Sequence, residues 1–355
     1  MTERLLPPRE ADSAPTALVL PARRGVADSR PLMSIVAAFF DEADTIDAFF
    51  RETEDIARLL ECDIEYVCVN DGSRDRTFEL LSRHFLRNPQ IRIVNLARNF
   101  GKEAAISAGL AHAKGDAAIV MDADLQDPPA LIAAFFEKWQ HGFDVVYGIR
   151  VRRNVDSLLK RATAHAFYWL FNRLTETKIP NGASDFRLLD RRVVDSLLAL
   201  PERNRFMKGL YAWVGFNQVG VEYVRGPRAG GKSGWSYVRL FNFAVDALTS
   251  FSSMPLRLAS VAGFAISLLG FLYAAFVIAK TLLFGTDVPG YASLMVMIMF
   301  LGGVQLFCLG VLGEYVGRLY TEAKGRPLYI VADIVEAKLA ARRSAVAPRV
   351  TDATA

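Results

Sequence analysis

Cysteine and histidine are scarce in this chain, and each scarcity excludes a chemistry. The three cysteines, Cys62, Cys68 and Cys308, show no metal-ligand or redox spacing, so they read as small buried apolar residues of a reducing compartment rather than a disulfide or zinc framework. The four histidines, His84, His112, His141 and His165, are scattered and form no motif. Charge is missing from two long stretches, Leu258 to Ala279 and Val288 to Gly313, each sufficient for a membrane helix of roughly 20 residues. A doubly buried soluble helix has a similar composition, but two such runs joined by the short Lys280 to Asp287 link predict a helical hairpin in a bilayer. In the first 31 residues Ala17 to Leu20 is too short for the apolar core of a signal peptide, and the segment is expected to be a disordered tail.

The whole chain, 355 residues of which 23% are charged and with a formal net charge of +4, suits one globular domain plus the two apolar runs. Arg239 and Arg257 precede the first apolar run and Arg318, Lys324 and Arg326 follow the second, while the link carries only Lys280 and Asp287. The positive-inside rule therefore predicts both ends to be cytoplasmic. A membrane is the expected partner and a nucleic acid is not.

From Leu32 the pattern alternates strand and helix, which predicts a doubly wound parallel α/β sheet. Strands are expected at Met33 to Phe39, Ile64 to Val69, Ile91 to Leu96, Ala117 to Met121 and Asp144 to Ile149. Helices are expected at Asp41 to Leu60, Thr77 to Phe85, after the Arg98 to Glu103 stretch through His112, at Pro128 to Trp139 and at Leu158 to Leu174. The apolar run Ala117 to Met121 delivers Asp122, Asp124 and Gln126 to its carboxyl end, where open α/β sheets bind ligands. Two carboxylates and an amide oxygen there suit magnesium or manganese, whose remaining ligands are water and substrate phosphates, and so imply a diphosphate. The competing reading, a solvated loop end or a helix cap, is assigned instead to Asp127, which precedes Pro128 and Pro129.

Other stretches keep two readings. Asp71, in Asn70-Asp-Gly-Ser, suits a nucleotide base or ribose, or an ordinary Asx turn. Gly101 and Lys102 stand at a helix start that suits an anion, although a helix start needs nothing bound to it. Arg150, Arg152 and Arg153, with Lys160 and Arg161 beyond, suit phosphate recognition or an anionic lipid surface equally. Asp185, at the head of an apolar run, needs a partner if buried, either Arg187 or a ligand. Pro201 to Val214 reads as an interfacial helix, and Tyr237 to Met254 as a second amphipathic segment along the bilayer. The glycine-rich loop Arg225 to Trp235, with Arg228, Lys232 and Ser233, suits closure over phosphates better than a linker. Pro327 to Ala332 reads as a short strand or an extended arm.

Taken together, Asn70-Asp-Gly-Ser, Arg98-Asn-Phe-Gly-Lys-Glu, Asp122-Ala-Asp-Leu-Gln-Asp-Pro-Pro, Ser184-Asp-Phe-Arg-Leu and the Arg228 to Ser233 loop resemble the family 2 inverting glycosyltransferases of GT-A fold. The resemblance is to the membrane-anchored polyprenyl-phosphate branch, which includes bactoprenol glucosyltransferase and dolichyl-phosphate mannose synthase, and runs from about Leu32 to Tyr329. It implies a disordered tail at 1–31, a catalytic domain at 32–235 and an interfacial helix at 236–257. Two membrane helices are then implied within 258–318, at about 258–280 and 290–313, with a cytoplasmic arm at 319–355.

The resemblance also implies that Asp71 contacts the donor nucleotide and that Asp122, Asp124 and Gln126 hold the metal and diphosphate. Arg150, Arg161 and Arg228 would meet acceptor phosphate or donor diphosphate, Gly101, Lys102, Lys232 and Ser233 would help to bind the donor, and Asp185 stands at the usual catalytic-base position. Asn70, where many relatives carry aspartate, and Phe39-Phe-Asp-Glu depart from the family pattern. The implied activity is transfer of a sugar, with glucose from UDP-glucose favoured, to undecaprenyl phosphate at a bacterial inner membrane, by an enzyme that forms tetramers in several relatives. N-acetylated hexosamines or mannose from GDP-mannose are alternative sugars. A processive polysaccharide synthase is an alternative enzyme, although its Gln-x-x-Arg-Trp motif is missing, and a nucleotide-sugar sensor is a non-enzymatic one. Because a phosphate monoester has its second pKa near 6, the acceptor is mostly dianionic at neutral pH and a general base is barely needed.

Overall fold

Short runs of valine, isoleucine and alanine form strands when both faces of a sheet are covered. The structure, a computed structural model, describes residues 30–152, 171–175, 177–180, 182–224, 249, 252–284 and 290–337. Arg153, Lys160, Arg161, Arg228, Lys232, Ser233, nearly all of the Leu158 to Leu174 and Tyr237 to Met254 segments, and the terminal tails lie outside the described residues.

The chain begins β1 (Leu32–Phe39), α1 (Ile46–Ala57), β2 (Asp63–Asn70), α2 (Thr77–Arg87), β3 (Ile91–Leu96), α3 (Lys102–His112), β4 (Ala117–Asp122) and α4 (Leu131–Gln140). It continues through β5 (Val145–Arg152), β6 (Ala183–Asp190), α5 (Arg191–Ala199), α6 (Met207–Trp213) and β7 (Gln218–Val224). Two long helices, α7 (Met254–Phe284) and α8 (Tyr291–Ala323), precede β8 (Val331–Val335).

Among the described residues the strands form one sheet in the order β7-β5-β6-β4-β1-β2-β3-β8. β1 to β4 are mutually parallel, and their register aligns Phe39 with Asn70, Asn70 with Asn95, and Ala38 with Asp122 along one carboxyl edge. The sheet is mostly parallel, as expected, with two reversed strands: β6 runs antiparallel between β4 and β5, and β8 runs antiparallel to β3. The Pro327 to Ala332 arm thus leads into an edge strand that closes the sheet.

Period-two alternation splits the core between two faces. Ile35, Ala37 and Phe39 pack with Phe49 and Phe50 of α1, Leu81 of α2 and Phe135 of α4. Val36, Val67 and Val120 pack with Ala105 and Ala108 of α3, Val193 of α5 and Tyr211 of α6. The helix α3 lies so close to the sheet that a Cβ on Gly109 would come within 2.4 Å of Val36, which explains its small side chains.

Three element boundaries differ from expectation. The helix α1 starts at Ile46 rather than Asp41, since the preceding turn has Asp41 at φ 53° and donates backbone N–H groups to Ser73, Thr77 and Asp75. α4 starts at Leu131, and no side chain caps it. Pro201 to Val214 holds only the short α6, whose Met207, Leu210 and Tyr211 are buried in the domain core while Trp213 at its end stays exposed, so most of its apolar face belongs to the fold.

The helices α7 and α8 carry their apolar residues outward, and none of the residues in their most hydrophobic stretches is buried. Phe264, Phe271, Phe300 and Phe307 are exposed, a surface that water does not tolerate over such lengths, so the hairpin is a membrane-associating element. It is tied to the domain by Glu322 at the end of α8, whose carboxylate accepts the backbone N–H groups of Arg203 at 2.9 Å and Asn204 at 3.2 Å.

Gly72 joins the two loops at the carboxyl edge. Its φ is +66°, and a Cβ there would lie 2.4 Å from the backbone carbon of Arg98. Both backbone strain and collision oppose a side chain. Gly72→Ala is expected to destabilise the chain by about 2 kcal/mol or more, read as a lowered midpoint in thermal unfolding of the detergent-purified protein; an unchanged midpoint contradicts the close approach.

Candidate active site

The site forms where four strand ends and one reversed strand meet. β4 delivers Asp122, and the turn that follows places Leu125 at φ 54°, with the Gln126 N–H donating to Asp124 Oδ1 at 3.2 Å. β6 pairs Val120 with Arg187 in antiparallel register, and continuing that register by two residues sets Asp185 opposite Asp122. The reversal of β6 therefore carries Asp185 to the carboxyl edge of β4.

Lys102, the first residue of α3, stands between these acids. Its ammonium lies 2.7 Å from Asp122 Oδ1 and 3.0 Å from Asp185 Oδ2, and Lys208 of α6 lies 3.8 Å from Asp185 Oδ1. Burial works against the Asp185 carboxylate, but Lys102, Lys208 and Arg187 outweigh it and hold its pKa well below the usual carboxylate range. Burial likewise disfavours charge on Lys102, and the two carboxylates reverse the balance and hold it protonated.

Arg187, expected as the Asp185 partner, contributes only at longer range. It is 3% exposed, donates to the Ser184 backbone carbonyl at 2.6 Å, and stacks its guanidinium 3.8 Å from the centre of the Tyr211 ring. Lys102 and Lys208 are the partners that Asp185 required.

Two expected roles are corrected, the helix cap at Asp127 and the free backbone N–H of Gly101. Asp127 is no helix cap: it is buried, and Arg150 Nη2 donates to its two carboxylate oxygens at 3.2 and 3.0 Å while the Tyr223 hydroxyl also donates to it. Arg150 donates in addition to Tyr223 at 2.9 Å and neutralises Asp127. Gly101 does not offer a free backbone N–H, because it donates to Asp71 Oδ2 at 2.9 Å, as Phe100 does to Asp71 Oδ1 at 2.7 Å. Asp71 is thus more than a simple turn acid, since it fastens the two loops together. Burial raises its pKa, against the opposing pull of those two N–H groups.

The donor set of Asp122, Asp124 and Gln126 is all oxygen, and among the described residues no three acidic, histidine or cysteine side chains converge on one point. Such a set fits a hard divalent cation that draws further ligands from a bound diphosphate. Lys208, Tyr223 and Glu103 were missed as members of this neighbourhood. Lys208 was legible only as one more cation in a mixed basic and apolar segment, and Tyr223 carried no local signal. Glu103 follows Lys102 in the sequence. Burial, with Asp185 nearby, raises its pKa to about 7.

Residues 34–198 match the model of Glycosyl transferase family 2, and residues 254–319 match that of the GtrB C-terminal hairpin. The chain is 51% identical over 302 residues to an uncharacterised glycosyltransferase of Synechocystis, covering 85% of this chain and 95% of that one. It is 46% identical over 299 residues to the SfII prophage-derived bactoprenol glucosyl transferase of Shigella flexneri, covering 84% and 97%. A Bacillus subtilis glycosyltransferase is 43% identical over 298 residues, covering 84% and 92%.

With its pKa at about 7, Glu103 is mostly protonated at pH 6 and mostly charged at pH 8, so a negative charge enters the site as pH rises. Affinity for a nucleotide sugar, whose diphosphate diester does not titrate in this window, is expected to fall across it. Glu103→Gln should remove that fall in calorimetric binding measured at the two pH values; an identical pH dependence in the variant contradicts the assignment.

Proposed function

The chain belongs to glycosyl transferase family 2, and we propose that it transfers a sugar from a nucleotide-sugar donor to a polyprenyl phosphate at the cytoplasmic membrane face, with inversion. Support comes from one arrangement above all: the acid-rich carboxyl edge, with Lys102 bridging Asp122 and Asp185, is built on a domain clamped through Glu322 to an apolar helical hairpin. A polyprenyl acceptor keeps its tail in the bilayer, so an enzyme using it must work at the surface. The charges flanking α7 and α8 favour both ends on the cytoplasmic side.

In this reading Asp122, Asp124 and Gln126 hold magnesium or manganese against the donor diphosphate. When bound, the metal offsets charge developing on the leaving nucleoside diphosphate. Lys102 adds an ammonium at the same edge. The acceptor phosphate oxygen attacks the anomeric carbon, the anomeric carbon–oxygen bond to the diphosphate breaks, and the nucleoside diphosphate leaves with the electron pair. Asp185, held ionised by Lys102 and Lys208, is a poor proton acceptor near neutral pH, and a mostly dianionic acceptor has little need of one. Asp185 therefore orients Lys102 and the sugar. UDP-glucose is the proposed donor, in keeping with the names of the Shigella relatives.

Two measurements test this. Detergent-purified protein is given a panel of labelled UDP- and GDP-sugars with undecaprenyl phosphate, in magnesium, manganese or EDTA. A lipid-linked product from UDP-glucose, lost in EDTA, is expected; product from another donor corrects the sugar, and nucleotide binding without product from any donor sinks the transferase reading. Asp185→Asn should lower the rate by the same factor at pH 6 and pH 8, because the wild-type carboxylate is charged at both. A defect that vanishes at high pH would restore the base.

A further inference from the structure

A second site lies where the domain meets the first apolar helix. A cavity of about 470 Å³ opens between the Arg173 to Thr177 segment, the loop at Glu202 and Asn204, Trp213 at the end of α6, and Ser252 to Arg257 at the start of α7. Its position sets it at the level of the bilayer surface, because exposed apolar side chains begin there with Met254 and Leu258 and continue along α7.

The walls are fixed before anything binds. The Ser252 hydroxyl donates to the Leu174 carbonyl at 2.5 Å and accepts the Met254 N–H at 3.0 Å, while the Tyr315 hydroxyl of α8 donates to the Ser252 carbonyl at 2.7 Å. One serine thus joins the domain, α7 and α8 around the cavity.

The lining is amphipathic in a specific sense. Arg173 and Arg257 face the cavity, and among the described residues neither guanidinium has an ion-pair partner. Thr177 and Ser253 add hydroxyls, and Leu210, Trp213 and Met254 add an apolar side, with Trp213 56% exposed. Glu202 is the acid in the wall, and the Arg205 guanidinium lies within electrostatic reach of it. Two guanidiniums beside hydroxyls suit a phosphate, and an adjoining apolar side leading to a membrane helix suits that phosphate on a lipid tail.

The helix α6 connects this cavity to the site already described. Leu210 and Trp213 line the cavity, Lys208 lies 3.8 Å from Asp185, and Tyr211 stacks on Arg187. We infer that the cavity is a docking site for the phosphate headgroup of the polyprenyl acceptor, held by Arg173 and Arg257 at the bilayer surface before transfer. This rests on the transfer reaction proposed above and adds a binding site to it. Lys208 and Tyr211 then give the neighbouring helix a role at both sites.

The test uses the full chain in phosphatidylcholine vesicles containing undecaprenyl phosphate, comparing wild type with Arg173→Gln/Arg257→Gln. The acceptor KM is expected to rise about tenfold in the variant, the effect of losing charge-assisted hydrogen bonds, with the donor KM and the rate at saturating acceptor kept. An unchanged acceptor KM overturns the docking site alone. No transfer by wild type to the lipid overturns the reaction, and this inference with it. Added phosphatidylglycerol separates the two lipid sources: if it raises the wild-type acceptor KM as much as the double substitution does, the cavity serves bulk anionic lipid and the inference fails. Should the double variant lose donor binding, Arg257→Gln, an exposed change at the start of α7, decides instead: a rise of about threefold in acceptor KM supports the site, and none overturns it.

Discussion

Two carboxylates facing each other across adjacent strands repel unless a cation stands between them, and the geometry of this domain follows from supplying that cation. Lys102 does so from the first position of α3, reaching Asp122 and Asp185 at once. It reaches both because α3 is pressed against the sheet through Gly109, and because β6 runs antiparallel to β4 and brings Asp185 level with Asp122. Close helix packing and reversed strand are each needed. A larger residue at 109 would lift the helix, and a parallel β6 would send Asp185 to the opposite end of the sheet.

The loop before α3 is held by a second buried charge. Asp71 gives its two oxygens to the N–H groups of Phe100 and Gly101, and Gly72 packs its backbone against Arg98. These contacts fix where α3 begins and hence where the Lys102 stem starts. Around the corner, Asp127 and Arg150 satisfy one another with Tyr223, which ties the turn after β4 to β5 and β7. Asp71 and Asp127 each have a partner from a distant part of the chain, as burial of charge demands.

This distance explains what the sequence could and could not show. The strands β1 to β4 were legible because covering a strand on both faces leaves a nearly unbroken apolar run, and the acids that end those runs were legible with them. The direction of β6 was not, since a strand's own residues do not encode which way it enters a sheet. Asp127 before two prolines has the local chemistry of a helix cap, and only the tertiary fold shows that Arg150, 23 residues on, claims it. Lys208 sits in a segment where basic and apolar residues alternate at helical spacing, a pattern shared by interfacial helices and by a buried helix with one charged face turned to a site. The apolar hairpin was fully legible, since roughly 20 residues without charge permit few structures.

The hairpin also constrains the acid-rich carboxyl edge. After β7 the chain leaves for α7 and α8, then returns as β8 on the far side of the sheet, beside β3. Glu322 grips the backbone of Arg203 and Asn204 just before α6, and the Arg203 guanidinium donates to the Arg326 carbonyl at 2.7 Å. A domain on a single flexible tether would present its site to the bilayer in every orientation and meet a surface-bound acceptor only in a few. Under the proposed function, fastening at α6 and again at β8 would restrict how the carboxyl edge meets a bilayer, so that part of the orientational cost of meeting a lipid headgroup would be met on folding rather than at each encounter.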